Sequence, residues 1–169
     1  GYRTGAFGKW GLGFVGTSGD PNKQGIDEFY GFNCQLLAHS YYADHIWHNS
    51  ERIELKDNVD SIPYGQGTYI PDLIHEKALE FMETSAKEKQ PFFLWYPTTI
   101  PHAELIVPKD SIIDRFIGKY PETPYHGTDS GPGFRKGGYC SQDYPHATFA
   151  AMVTRPVSYT HLRAHGLRC

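Results

Sequence analysis

The chain has 169 residues and a mass of 19.1 kDa, room for one domain with a hydrophobic core and too little for two. With 39% hydrophobic and 21% charged residues it has the composition of a folded protein, not a disordered one. Sixteen Lys and Arg against nineteen Asp and Glu leave a net charge of −3, which gives no footprint for nucleic acid or an anionic membrane surface, and the longest apolar run, Phe92 to Tyr96, is far short of the ~20 residues that cross a bilayer.

The chain opens Gly1-Tyr2-Arg3-Thr4 with no Met and no charged segment leading an apolar one, so it reads as starting inside a longer sequence. From Gly1 to about Asp60 it is rich in Gly and aromatics with little helical period, which predicts short strands joined by long loops. One hairpin is expected over His45 to Leu55, where Ile46 and the Ile53/Leu55 alternation flank a polar Asn49-Ser50-Glu51 turn. A helix is predicted from about Pro71 to Lys87. Pro71 and Asp72 suit its first turn, and Ile74, Ala78, Phe81 and Met82 form an apolar stripe. Gln90-Pro91 ends it, and Phe92 to Tyr96 follows as a strand expected to be buried on both faces. A helix feeding a buried strand is half of an α/β layer fold, and ligands in such sheets bind at the carboxyl ends of the strands. The residues that follow, Pro97 to His102, are a two-proline loop with one histidine. Next come a short helix near Asp110 to Phe116, a Pro/Gly/Tyr-rich loop to Tyr144 and a helix from Pro145 that Pro156 is expected to break.

Several constellations carry possible chemistry. Gly11 to Gly16 spells GxGxxG, but the polar turn residues Thr17 to Gly25 follow where a dinucleotide fingerprint must open a helix. Gly8-Lys9 is not a Walker loop either, because Trp10 stands where a Ser or Thr would hold magnesium. Lys9, set among glycines, binds an anion if the backbone closes around it and otherwise points to solvent. His39, His45 and His48 lack the further ligands of a zinc site, and Cys34, Cys140 and Cys169 show no CxxC spacing, so no metal site is assigned. Tyr41, Tyr42 and Trp47 form either core or a flat surface for a sugar ring. His102 is positioned to give a proton to a leaving oxygen or to contact an oxyanion.

Taken together, Gly1-Tyr2-Arg3-Thr4, Gly8-Lys9-Trp10-Gly11-Leu12-Gly13, Gly25-Ile26-Asp27-Glu28-Phe29-Tyr30-Gly31 and Pro91-Phe92-Phe93-Leu94-Trp95-Tyr96 leading to Pro101-His102 resemble the middle of a sulfatase of the arylsulfatase type. The segments stand in family order and at family-like spacing over roughly Gly1 to Arg155. The resemblance implies an α/β fold, part of the alkaline-phosphatase-like sandwich with a mixed sheet flanked by helices. It also implies a sulfuric ester hydrolase that acts on a sulfated small molecule or sulfated glycan. Lys9 matches the lysine of the family's Gly-Lys-Trp motif and is expected to contact the sulfate. His102 matches the histidine after the Phe-Phe-Leu strand and is expected to contact sulfate and the leaving oxygen. Gly11 stands where many relatives have a histidine. Family enzymes use calcium and a formylglycine made within a Cys/Ser-x-Pro-x-Arg motif. That motif is missing from this chain, and the family's calcium-binding acids have no counterparts here, so the chain is expected to be inactive alone.

The expected organisation is therefore a catalytic-domain fragment over 1–155 and a tail over 156–169 that does not belong to the family. The residues do not reveal the compartment; the resemblance implies an exported, periplasmic or extracellular, enzyme. Two alternatives remain: a phosphodiester or phosphonate hydrolase of the same superfamily, and a non-catalytic carbohydrate-binding module using Tyr41, Tyr42, Trp47 and Trp95.

Overall fold

Small and apolar residues fill Thr4 to Gly8 between the charged ends Arg3 and Lys9, a composition suited to a strand with neighbours on both edges and cover on both faces. This segment is β1 (Arg3–Lys9), and it lies between β2 (Glu28–Phe32) and β5 (Phe92–Trp95), parallel to both. The computed structural model describes residues 1–59, 65–127 and 139–164, with side chains as far as residue 157. The chain forms two compact units, one of Gly1–Ile62 with Gly67–Thr99, the other of Pro63–Gln66 with Ile100–Cys169.

The first unit is a mixed five-stranded sheet in the order β4 (Glu51–Glu54), β3 (His45–His48), β2, β1, β5. The expected hairpin is present as β3 and β4, antiparallel to each other, with β3 antiparallel to β2. Its two-residue turn places Asn49 at φ +52°, a left-handed conformation that asparagine tolerates better than most residues. Helix α1 (Ile70–Lys87) matches its expected span to within one residue, with Pro71 and Asp72 in the first turn and Lys87 in the last. Ile74, Ala78 and Phe81 from its stripe pack against Phe7, Tyr30, Phe32 and Ile46, and Met82 joins the margin of that core. Side chains alternate across a strand, so the neighbour of Phe7, Ala6, faces the other way and packs with Trp10 and Phe29.

Strand β5 departs from expectation. Phe92 and Leu94 join the core under α1, but Phe93 and Trp95 are 56% and 37% exposed. Within its unit the strand has α1 on one face, and the described residues place no helix on the other. A continuous apolar run is the pattern of double cover, and here it meets single cover.

In the second unit, α2 (Ser111–Asp114) is shorter than the expected 110–116. Asp110 caps it by accepting from the backbone N–H groups of Ile112 and Ile113. Glu122 does the same for α3 (Pro145–Ala164), accepting from the N–H groups of His146 and Ala147 at 2.8 and 2.9 Å. The expected break at Pro156 does not occur, and α3 continues to Ala164. Proline costs the ladder its bond to the Met152 carbonyl and its ring crowds that carbonyl, but the helix carries on past it. Arg155, 3% exposed, is tied to Asp110 at 2.8 Å and is part of this unit's interior. No described helix is long and apolar enough to cross a membrane.

Candidate active site

The carboxyl ends of β2, β1 and β5 lie side by side, and Lys9 is the last residue of β1, paired in register with Phe32 of β2. Its backbone N–H donates to the Pro97 carbonyl at 3.0 Å, and the Trp10 N–H donates to the Phe32 carbonyl at 2.9 Å. Two glycines permit this convergence. A Cβ on Gly8, which has φ +137°, would collide with the Pro97 carbonyl oxygen, and one on Gly31 would collide with that of Gly8. The backbones of β2 and the Pro97 segment thus lie close beside Gly8 and Lys9. The indole N–H of Trp10 donates to the Gly19 carbonyl at 2.7 Å, which fixes the loop after β1.

That loop is a series of turns. Thr17 donates to the Phe14 carbonyl, and Asp20 accepts from Gly16 before capping a 3₁₀ turn over Pro21–Gln24. No α-helix opens after the GxGxxG string, so it is not a dinucleotide cradle.

His102 belongs to the second unit, on the segment that leaves β5. It is exposed, and its ring lies edge-on to Tyr139 with centroids 6.4 Å apart. The other expected histidines do not assemble. His45 Nδ1 lies 2.7 Å from Asp44 Oδ1 and 3.0 Å from Arg52 Nη2, while His48 packs edge-on against Tyr30. Among the described residues no three His, Cys, Asp or Glu side chains come together in a metal-binding group. The described residues therefore do not fit the family's calcium.

Tyr41 and Tyr42 are core residues, 0% and 5% exposed, and both pack on Tyr69 with ring centroids 5.8 and 5.4 Å apart. They present no flat face to a sugar; of the other two aromatics named for a carbohydrate-binding module, Trp47 is half-buried and Trp95 exposed. Tyr96, next after β5, has its hydroxyl pKa pushed up to about 12, first by burial and then by the Asp72 charge, so it stays protonated at neutral pH.

Residues 1–153 match the family model Sulfatase. The chain belongs to the sulfatase family. The fold of this sulfatase chain is similar to that of Ps i-CgsB, at 23% identity and a TM-score of 0.63, over 98% of this chain and 34% of that one. A complex of Ps i-CgsB with k-i-k-neocarrahexaose matches equally over the same shares, at 23% identity and a TM-score of 0.62. The fold is also similar to that of yidJ from Bacteroides fragilis, at 18% identity and a TM-score of 0.51, over 94% of this chain and 36% of that one. The sulfatase chain spans about a third of the length of the structures it matches. No curated protein is significantly similar to it.

Sequence reasoning missed two polar side chains in the segments that leave β2 and β5. Asn33 is 2% exposed with neither amide atom hydrogen-bonded, and Thr99 is 8% exposed with its hydroxyl unpartnered. The signal available was positional, since each lies shortly after a strand whose carboxyl end adjoins that of β1.

Proposed function

We propose that this chain is the middle of the catalytic domain of a sulfuric ester hydrolase, in which Lys9 binds the sulfate and His102 serves the leaving oxygen. The observation that carries the reading is the position of Lys9 at the carboxyl end of β1, with the backbones of β2 and the Pro97 segment drawn in beside it through Gly8 and Gly31. A compact ammonium there neutralises an anionic ester. An imidazole on the segment after β5 can offer a proton to the alkoxide as the ester bond breaks. The complex of Ps i-CgsB with a carrageenan oligosaccharide supports a sulfated glycan as the substrate class, alongside sulfated small molecules. The chain holds no Cys/Ser-x-Pro-x-Arg motif, so the 169 residues alone bind sulfate but do not turn over an aryl sulfate.

Calorimetric titration with sodium sulfate tests this. Lys9→Met is expected to weaken binding by about tenfold or more, the worth of a charge-assisted hydrogen bond, with His102→Gln weaker than wild type by a smaller factor. Wild-type affinity in Lys9→Met would refute the assignment, and turnover of 4-nitrophenyl sulfate by the chain would refute its inactivity.

A further inference from the structure

Beyond Phe32, the residue in register with Lys9, the chain continues through Asn33 and Cys34 to Gln35, which meets Gly11 of the segment that leaves β1. Two carboxamides stand there. Asn33 is buried with both its nitrogen and its oxygen unmet, a costly arrangement unless a ligand or water meets them. Gln35 is exposed, and its carboxamide lies directly over the Cα of Gly11. A Cβ on Gly11 would collide with Nε2 of Gln35 and come within 2.7 Å of its Cδ and 3.0 Å of its Cγ. Gly11 also has φ +70°, so both the backbone conformation and the space at this position are those of a glycine. The carboxamide of Gln35 therefore lies beside Gly11, two residues along the chain from Lys9, in the volume that a side chain at position 11 would take.

We propose that this segment is a second arm of the anion site, in which Gln35 and Asn33 donate amide N–H groups to a sulfate ester bound at Lys9. The proposal rests on the reading of Lys9 given above. A sulfate ester spreads one negative charge over three oxygens, so a single ammonium neutralises it and leaves lone pairs to fill. Neutral carboxamide N–H groups fill them without adding charge.

The test uses the ¹⁵N-labelled chain titrated with sodium sulfate at constant ionic strength. The side-chain NH₂ resonances of Gln35 and Asn33 are expected to shift saturably with one dissociation constant. Those of Gln24, whose Nε2 is bonded to the Ser18 carbonyl, are expected to stay in place. Gln35→Leu, at an exposed position, is expected to weaken sulfate at least threefold. Lys9-dependent binding with unmoved amides and wild-type affinity in Gln35→Leu would overturn the second arm and leave the Lys9 reading intact. Sulfate binding that is absent, or unaffected by Lys9→Met, would overturn both. A stability cycle tests the placement of Gln35 without any ligand. Gly11→Ala should lower the melting temperature less in a Gln35→Gly background than in wild type, and equal losses would overturn the placement.

Discussion

Lys9 gains its meaning from what its neighbours lack. Gly8 and Gly31 have no Cβ, and only their absence lets three backbones meet at the end of β1. The sequence showed the lysine and the glycines but not the register that joins them. Gly11 shows the same limit: the family resemblance marks it as a position where histidine is common, and the fold, not the pattern of residues, brings Gln35 into that space. Another residue was invisible to pattern reading. Glu104 is fully buried, accepts from the Cys140 N–H at 3.4 Å, and leaves its second oxygen unmet. Burial pushes its carboxyl above the ordinary 4.5, and the Cys140 hydrogen bonds only partly oppose that. The folded state thus prefers the protonated form, so this group costs the fold stability as pH rises from about 4.5 through the raised pKa. Glu104→Gln is expected to melt higher than wild type at pH 7, with the gap closing below pH 4.5. A pH-independent gap, or a loss of stability at pH 7, would contradict the assignment.

At the level of elements, period and punctuation carried most of the information. The 3.6-residue stripe and the first-turn Pro71 and Asp72 placed α1 to within a residue, and the two β-alternating segments around Asn49 placed the β3–β4 hairpin. Two elements were misjudged for reasons outside local sequence. β5 reads as doubly covered because its residues are apolar, whereas cover is a property of what packs on it. α3 was expected to end at Pro156, but losing one backbone bond did not stop the helix. The joint between α1 and the sheet is Phe81, 1% exposed, with ring centroids 5.4 Å from Phe7 and 5.7 Å from Phe92 and the Arg3 guanidinium 4.7 Å above it. Phe81→Ala removes a side chain that three partners enclose, and it should cost about 3–5 kcal/mol in urea unfolding. A loss below about 1 kcal/mol would mean that α1 is not packed on the sheet in this way.

For the whole molecule, the opening balance of charges leaves no footprint for nucleic acid or an anionic membrane. A net charge of −3 does not attract sulfate, so any affinity must come from a local site, with the Lys9 ammonium against the anion. The order of segments from Gly1 to His102 made the family legible, because their spacing is fixed by the sheet that β1, β2 and β5 build. The chemistry was less legible, since it depends on side chains that meet through register. The most direct measurement is diffraction from crystals of the chain soaked in sodium selenate, with data collected at the selenium edge. The account predicts an anomalous peak within about 4 Å of Lys9 Nζ that disappears in Lys9→Met. A peak that persists in Lys9→Met, or selenate bound only elsewhere, would contradict it.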